Sequence, residues 1–374
     1  MIPEENMLNE LNKLVELAAQ RHASDIHIVC GLPIKCRIDG KITNLVDDIA
    51  TSEIAESYAR CLLGENYGKV SAIGEADVGF TFPCGIRVRG NVYRQKRQIS
   101  IALRLFSDRI PQIEELGLPE CAKNIPELKN GIVLVTGETG SGKSTTIASI
   151  IDRINHTRNG HIITLEDPVE YIINSDRCIV SQRDVGVDTK TFASGLRSIL
   201  REDPDVIMIG EMRDLETIEA ALTAAETGHL VLATLHTNTA ADTLDRIVGV
   251  FPEGAQPQVK MQLSNTLCYV LTQKLLPRKD GDGRVLACEA MVVNNAIRNL
   301  IREGKTHQID TFISLNSTDG CVCMDTALQR LVLEDKISIE IAEQYARNKD
   351  NLRNICTQAK QAPTPEKGFF GKKK

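Results

Sequence analysis

The sequence predicts an α/β protein with two domains, a small α+β domain followed by a larger domain whose mostly parallel sheet is covered by helices. Three observations support this prediction. The chain has 374 residues, more than one compact core usually holds. Its N-terminal part contains stretches that alternate apolar and polar residues, as antiparallel strands do. Farther along, short apolar runs alternate with helical stretches, which is typical of parallel sheets.

The N-terminal part contains two predicted helices among several strands. Residues 5–21 place apolar side chains at mostly helical spacing. The next stretch alternates around turn signals at 31–33 and 39–40, which favours antiparallel strands. A second helix is expected over about 52–63, before further strand-like sequence. We therefore assign residues 1–106 to a small α+β domain.

A proline-containing segment separates this part from the rest of the chain. Residues 107–119 have two prolines and no sustained hydrophobic period, so we interpret them as a linker. The second domain is expected over 120–358, and beyond about residue 255 it becomes largely helical. Residues 359–374 are too polar and too interrupted by glycine and proline to fold alone, so a flexible tail is expected. The runs interpreted as buried strands are IVLVT, HIITLE, DVIMIGE and HLVLATLH.

The overall charge gives no reason to expect nucleic acid as a partner. The formal charge is −6 and the pI is near 5.8, although these values allow a local basic patch. The eleven cysteines are scattered singly through apolar sequence, which is typical of reduced core residues. The one close pair, Cys321 and Cys323, lacks the second pair that a structural zinc site requires.

No segment is expected to enter a membrane. The N-terminal residues are acidic and amphipathic, without the apolar core of a signal peptide. No run reaches the roughly 18 consecutive apolar residues that span a bilayer. We therefore expect a cytoplasmic protein without direct membrane insertion.

The stretch GETGSGKS fits the phosphate-binding pattern G-x-x-x-x-G-K-[ST] and lies between a predicted strand and a predicted helix. Its glycines allow backbone N–H groups to point at phosphate oxygens, and the helix N-terminus adds a positive dipole end. Lys143 is expected to contact the β- and γ-phosphates, and Ser144 is expected to bind Mg²⁺. The residues predicted to bind the nucleotide are Gly137, Glu138, Thr139, Gly140, Ser141, Gly142, Lys143, Ser144 and Thr145.

Two carboxylates are expected at the carboxyl ends of strands, where doubly wound sheets bind their ligands. Glu211 ends the run DVIMIGE, at the position of a Walker B carboxylate. It is predicted to orient or deprotonate the attacking water and to bind Mg²⁺, directly or through water. Glu166 closes the run HIITLE and is the second catalytic candidate. Taken alone, each carboxylate is equally compatible with a helix cap or a solvated loop.

Two histidines flank the run LVLATL and are candidates for contacts with a terminal phosphate. A regular strand would direct His229 and His236 to opposite faces, because their separation of seven residues is odd. We therefore expect different roles for them. A purely structural role is an equally good interpretation of each.

Five arginines cluster in the first domain, namely Arg87, Arg89, Arg94, Arg97 and Arg104. Such a cluster is compatible with a solvated strand face or a nucleic-acid patch. Only one aromatic residue, Tyr93, lies among them, which weakens the second interpretation. Because the phosphate-binding loop lies in the other domain, a third use is the stabilisation of phosphate charge across a domain or subunit junction.

Over nearly its whole length the sequence resembles the type IV pilus retraction ATPases (PilT type) of the secretion ATPase superfamily. ITLEDPVEY is similar to the aspartate box of that family, LREDPDVIMIGEMRD to its Walker B segment and TGHLVLATLHTN to its histidine box. AIRNLIRE at 296–303 is similar to the signature helix of the retraction branch. On helical spacing its apolar residues form one stripe, with Arg298 and Arg302 on the polar side. A plain amphipathic core helix would show the same stripe, which comprises Ala296, Ile297, Leu300 and Ile301.

The resemblance implies a PAS-like α+β N-terminal domain plus a RecA-like P-loop ATPase domain with C-terminal helices. It also implies ATP and Mg²⁺ as cofactors and a homohexameric ring. In that ring Arg87, Arg89, Arg97 and Arg104 would approach the nucleotide, whereas Arg94 lies outside the family pattern. The related assembly ATPases resemble the chain less, because it lacks their long N-terminal extension and their four-cysteine zinc insertion.

The implied function is retraction of the pilus, with pilin returned to the membrane. ATP binding and release would change the angle between the domains and turn an inner-membrane platform protein. Membrane association would come through that partner, and a second retraction ATPase is a further expected partner. Two alternatives are a RecA-like DNA-handling motor, which the acidic balance disfavours, and a non-hydrolysing accessory ring subunit, which the intact Lys143 and carboxylates disfavour.

Overall fold

The computed structural model describes residues 4–38, 40–106, 109–281, 283–315 and 320–361. The chain forms two compact units. The first consists of residues 1–112 and 147–211, and the second consists of residues 113–146 and 212–374. The predicted boundaries at 106, 119 and 358 stay predictions.

Both helices and strands occur in the N-terminal and the C-terminal parts of the chain. The α-helices are α1 Glu4–Gln20, α2 Ser52–Leu63, α3 Tyr67–Ile73, α4 Lys143–Thr157, α5 Phe192–Ile199, α6 Leu215–Glu226, α7 Ala240–Gly249, α8 Gln256–Thr266, α9 Asn295–Glu303, α10 Ile309–Leu315, α11 Met324–Leu333, α12 Ile339–Tyr345 and α13 Lys349–Gln361. The strands are β1 Asp25–Val29, β2 Pro33–Ile38, β3 Lys41–Ile49, β4 Glu75–Thr81, β5 Arg87–Gln95, β6 Gln98–Leu105, β7 Gly131–Thr136, β8 His161–Glu166, β9 Ile179–Asp184, β10 Val206–Ile209, β11 Leu230–Leu235, β12 Leu267–Pro277 and β13 Arg284–Val292. Short 3₁₀ helices occur at Gly64–Asn66, Ile113–Leu116, Glu120–Glu127 and Thr306–Gln308.

The first sheet is antiparallel and has six strands in the order β3-β2-β1-β6-β5-β4. Alternate residues of β1, such as Ile26 and Ile28, are fully buried, as the period of two requires. Helix α1 adds Leu11 and Val15 to the same core, four residues apart on one face. Helices α1 and α2 agree with those predicted over 5–21 and 52–63.

The second sheet has seven strands in the order β13-β12-β7-β11-β10-β8-β9. The pairs β7/β11, β7/β12, β8/β10 and β8/β9 are parallel, and only β12/β13 is antiparallel among the pairs whose register is described. The mostly parallel sheet predicted from the apolar runs is thus confirmed. Strands β7, β10 and β11 are buried along their whole length, which explains why their sequences do not alternate.

The segment beyond residue 255 is largely helical, as predicted, but the prediction missed two strands within it. Two long strands, β12 and β13, lie there and extend the second sheet. Helix α8 ends at Thr266 and β12 begins at the next residue, without an intervening glycine or proline. An apolar run that is buried on both faces has no period that separates strand from helix.

Helical residues occur in the segment interpreted as a linker and in the first residues of the predicted tail. The 3₁₀ helix Ile113–Leu116 lies within the segment interpreted as a linker. Helix α13 continues to Gln361 and so includes the first three residues of the predicted tail. The remaining tail residues, 362–374, lie outside the described residues.

A buried carboxylate connects β13 to the helices around it. Glu289 is fully buried, and it accepts hydrogen bonds from the N–H groups of Ala240 at 3.1 Å and Met324 at 3.3 Å, the first residues of α7 and α11. The Arg347 guanidinium donates to the same carboxylate at 2.9 Å and also contacts Asp310. Burial raises the pKa of Glu289, and the charge of Arg347 opposes that rise. One side chain therefore satisfies two helix N-termini and pairs with one cation.

We expect Arg347→Ala to lower the free energy of unfolding by about 3 kcal/mol, because it leaves the buried Glu289 carboxylate without its cation. Urea denaturation at pH 7 measures this change. Arg353→Ala is the matched control, since Arg353 forms an exposed ion pair with Glu343 and should alter stability little. Equal losses for the two variants would show that the Glu289 pair does not hold these helices.

Candidate functional site

The predicted phosphate-binding loop lies directly between β7 and α4. Gly137 follows the last residue of β7, and Lys143 is the first residue of α4. Gly137 has a φ of +139°, and a Cβ atom there would lie 2.4 Å from the carbonyl oxygen of Gln273. Only glycine fits this position, both for its backbone angle and for its closeness to β12.

Lys143 is held inside this loop. Its Nζ donates to the carbonyl oxygens of Gly137 at 2.8 Å and Glu138 at 3.0 Å, and it lies 3.5 Å from Nδ1 of His236. Only 8% of the side chain is exposed. The loop therefore carries a buried positive charge beside the N-terminus of a 15-residue helix.

The loop fits a bound phosphate chain. The hydroxyl of Ser141 is buried and makes no hydrogen bond within the described part of the chain. Glu138, Thr139 and Gly140 are exposed, so the loop is accessible from solvent. Ser144, the second residue of α4, is half-buried and supplies the hydroxyl that Mg²⁺ would need. Among the described residues, no cluster of three or more histidine, cysteine or acidic side chains forms a separate metal site.

Residues of β12 form hydrogen bonds with β7 and α4, the two elements that flank the loop. The sequence analysis predicted none of these contacts. Gln273 donates to the hydroxyl of Thr146 at 2.7 Å, and the hydroxyls of Thr136 and Thr272 lie 2.9 Å apart. These contacts fix the end of β7 and the first turn of α4. No motif marked them, because the segment that contains β12 was interpreted as helical.

Glu166 ends β8, and its carboxylate is buried, with 9% exposure. The carboxylate accepts hydrogen bonds from the Thr164 hydroxyl at 2.7 Å and from the Gln182 amide at 3.2 Å, and the Glu170 N–H lies 3.5 Å away. Burial is the largest effect and raises the pKa of Glu166 to about 7, although these three donors lower it. Its protonation therefore changes near neutral pH.

Glu211 follows β10, two residues beyond the end of that strand, and is half-buried. The preceding Gly210 donates its N–H to the Leu165 carbonyl oxygen at 2.7 Å. A Cβ atom at Gly210 would lie 3.1 Å from that oxygen and 3.3 Å from the Cα of Glu166. The glycine thus lets the chain that carries Glu211 pass closely beside Glu166.

The two histidines lie at opposite ends of β11. His236 follows the strand and approaches Lys143, whereas His229 precedes it and places Nδ1 2.9 Å from the Ala224 carbonyl oxygen. The two histidines therefore have different neighbours, and the prediction that their roles differ stays a prediction. The six residues of β11 separate them by about 20 Å, so His229 does not lie beside the loop of its own chain. Its catalytic role stays a prediction.

The arginine cluster is divided by the first sheet. Arg89 and Arg104 are exposed and lie directly opposite each other on β5 and β6, and Arg104 is 3.0 Å from Asp25. Arg97 occupies the turn between these strands, about 20 Å from Arg104 along β6, with a φ of +66°. Arg87 instead forms an ion pair with Asp184 at 2.9 Å.

The signature segment forms helix α9, but its apolar stripe is divided. Ile297 and Ile301 are buried, whereas Ala296 and Leu300 line a surface groove of about 660 Å³ together with Phe312. Of the four residues of the predicted stripe, only Ile297 and Ile301 are therefore fully packed into the domain. The groove also includes Asn299, His307, Gln308, Thr311 and Leu315.

Arg298 does not share the exposed position of Arg302. Its guanidinium donates to the carbonyl oxygens of Ser264 and Asn265, the latter at 2.9 Å, at the C-terminus of α8. A cation there satisfies carbonyl groups that the helix leaves unpaired. Arg302 is exposed and lies 3.5 Å from the Asn299 side chain.

The chain is similar to proteins of known activity along almost all of its length. Residues 3–367 match the family model described as Type II/IV secretion system protein. The type IV pilus retraction ATPase PilT of Pseudomonas aeruginosa is 42% identical over 344 residues, which cover 92% of this chain and 100% of that protein. The type IV pilus ATPase PilU of the same organism is 36% identical over 352 residues, 92% of this chain and 90% of PilU.

Solved structures show the same relationship. The pilus retraction motor PilT, crystallised with bound ADP, has a TM-score of 0.85 and 44% identity, covering 92% of this chain and 98% of PilT. The ATPase DotB of Legionella pneumophila has a TM-score of 0.77 and 29% identity, covering 89% of this chain and 94% of DotB.

Within the described residues, no helix is both long enough and apolar enough to cross a membrane.

We expect Glu166→Gln to remove a loss of stability that the wild-type protein undergoes as the pH rises from 4.5 to about 7. The folded-state pKa of Glu166 is raised from 4.5 to about 7, so its stabilising contribution is complete below pH 4.5 and is lost as the pH rises through about 7. The glutamine variant avoids this loss, which amounts to up to about 3 kcal/mol at pH 8.5. Melting temperatures between pH 5 and 8.5 measure the difference, with the exposed Glu219→Gln as control. Parallel curves for wild type and Glu166→Gln would contradict the buried, raised carboxylate.

We expect Arg298→Ala to lower the free energy of unfolding by about 2 kcal/mol, because two carbonyl groups at the end of α8 lose a charged donor. Arg302→Ala, on the same helix, should change stability little, since its side chain is exposed. Urea denaturation compares the two variants. If they have equal effects, Arg298 does not cap α8.

Proposed function

Because the chain belongs to the type II/IV secretion system protein family, we propose that it is an ATPase motor that drives type IV pilus retraction. The observation that carries this proposal is the buried Lys143 inside a glycine loop between β7 and α4. The similarity to PilT over 92% of the chain supports the retraction assignment. Pilin disassembly and twitching motility are the expected outputs.

ATP with Mg²⁺ is the proposed cofactor pair, and Mg²⁺ would neutralise charge that develops on the transferred phosphate. The residues 137–145 would bind the phosphates, with Lys143 at the β- and γ-phosphates and Ser144 at the metal. Glu211 would orient or deprotonate the attacking water, directly or through a metal-bound water. Glu166, whose pKa of about 7 suits proton transfer near neutral pH, would be the second catalytic carboxylate.

A homohexameric ring is the proposed assembly. Its nucleotide sites would be completed by arginines from a neighbouring copy, and the exposed Arg89 and Arg104 are the best candidates because they lie side by side. Arg97 directly precedes β6, whereas Arg104 lies near the other end of that strand. Arg97 would therefore contact a different part of the assembly. An inner-membrane platform protein would receive the motion and hold the motor, as a peripheral cytoplasmic protein, at the membrane. A second retraction ATPase is a further proposed partner.

We expect Lys143→Ala to abolish phosphate release and Glu211→Gln to bind ATP but turn over at least a hundredfold more slowly, because the amide cannot accept the proton of the water. Lys69→Ala, an exposed lysine of α3, is the control and should retain full activity. Phosphate release and the mass of the particle are measured with and without ATP. Wild-type protein that binds ATP without releasing phosphate would favour the accessory-subunit alternative, and activity that depends on DNA would favour a DNA motor.

A further inference from the structure

The segment that follows Glu166 is fixed by side chains rather than by regular secondary structure. We call residues 167–173 the Glu166 loop. The carboxylate of Asp184 accepts the N–H of Val169 at 2.6 Å. The amide of Gln182 accepts the N–H of Ile173 at 2.7 Å and donates to the carbonyl oxygen of Tyr171 at 2.8 Å. Two residues of β9 thus hold three backbone positions of the loop.

The same residues of β9 are neighbours of Glu166. Strand β9 runs parallel to β8, and its register pairs Asp184 with Glu166 and Gln182 with Thr164. The amide of Gln182 that binds the Tyr171 carbonyl oxygen also lies 3.2 Å from the Glu166 carboxylate. Gln182 therefore joins the carboxylate to the loop, and a shift of the loop alters the surroundings of the carboxylate.

Arg87 of the first sheet completes this arrangement. Its Nε donates to the Val169 carbonyl oxygen at 2.6 Å, and its Nη2 is 2.9 Å from Asp184, with 14% and 20% of the two side chains exposed. Gly79 on the adjacent strand leaves room for the guanidinium, since a Cβ atom there would lie 3.2 Å from Nη2. A planar guanidinium with two fixed contacts orients both partners, which a lysine would not do.

We propose that Gln182 and the Arg87–Asp184 pair are positioning residues for Glu166 and that Arg87 acts within its own chain. This inference rests on the proposed ATPase function, in which Glu166 acts at the nucleotide. The inference gives Arg87 a different role from the exposed Arg89 and Arg104, although the family resemblance groups the three arginines together. A movement of the first sheet that withdrew Arg87 would break its hydrogen bond to Val169. The loop could then shift and alter the surroundings of Glu166.

The charged groups near Glu166 allow a pH test. Asp167 and Glu170 lie on its own loop, Asp184 on β9 is paired with Arg87, and Glu211 follows β10 on the other side. Of these groups, Glu170 is the one that contributes to the raised pKa of Glu166, whereas Gln182 lowers it. Gln182→Leu should therefore move the acid limb of the kcat profile upward by about one pH unit, since the ionised carboxylate loses a donor. A loss of activity without any shift of the limb would reduce Gln182 to a packing role.

A double-mutant cycle tests whether Arg87 acts through Asp184. We expect Arg87→Ala and Asp184→Asn each to lower kcat by about tenfold or more, because small displacements of reacting groups are costly. If Arg87 acts through Asp184, the double variant should lose no more activity than the more impaired single variant. Arg94→Ala, an exposed arginine on the same strand, is the matched control and should keep full activity. Additive losses would overturn the inference.

Subunit mixing distinguishes this inference from a contact to a neighbouring nucleotide. Mixtures of Arg87→Ala with Lys143→Ala should show no recovery of activity, whereas mixtures of Arg104→Ala with Lys143→Ala should recover. Recovery with Arg87→Ala would show action across subunits and overturn the inference.

Hydrogen exchange without nucleotide provides a readout that does not depend on ATPase activity. The N–H groups of Val169 and Ile173 should exchange at least tenfold faster in Arg87→Ala and Gln182→Leu, respectively, and at the wild-type rate in Arg94→Ala. Unchanged exchange would contradict the inference even in an active enzyme. Faster exchange in an enzyme that releases no phosphate would mean that the proposed function fails while the contacts stand.

Discussion

Buried charge is the constraint on which the second sheet and its connections depend. Lys143 and Glu166 are only 8% and 9% exposed, and Glu289 is fully buried. Removing an unpaired charge from water costs far more than any single packing contact returns, so each of these groups must be surrounded by partners. Backbone groups supply most of them: loop carbonyls at Lys143, and helix N-termini at Glu289. The paths of the phosphate-binding loop and of the C-terminal helices are therefore fixed by charges.

The two buried glutamates differ in the kind of partner that satisfies them. Glu289 has a guanidinium as well as backbone donors, and it links β13 to α7 and α11. The hydrogen bonds described at Glu166 come from neutral donors, and its pKa is about 7. A neutral shell leaves the proton affinity of a carboxylate sensitive to small shifts of the shell. Glu289 therefore has a structural role, whereas the pKa of Glu166 depends on the position of its loop.

The arginines of the first sheet have unlike surroundings although they are close in sequence. Arg89 and Arg104 lie opposite each other and carry like charges, and Asp25 forms an ion pair with Arg104. Like charges directly opposite each other on a sheet are unfavourable, and an anion bound there would relieve the repulsion. Arg87 is already paired and shielded. The first sheet therefore has two exposed arginines side by side and a third arginine in a shielded ion pair.

The sequence by itself determined the features that depend on local chain geometry. The phosphate-binding loop, the strands β7, β8, β10 and β11 and the ends that carry Glu166 and Glu211 were all predicted, because glycine freedom and apolar run length act over a few residues. Tertiary structure alone decided the partners of those residues. Arg87 meets Val169 and Asp184 across 82 and 97 positions of the chain, and no local period encodes such a contact. The strands β12 and β13 were missed for a related reason: burial on both faces removes the alternation that reveals a strand, so only the packing of the sheet distinguishes it from a helix.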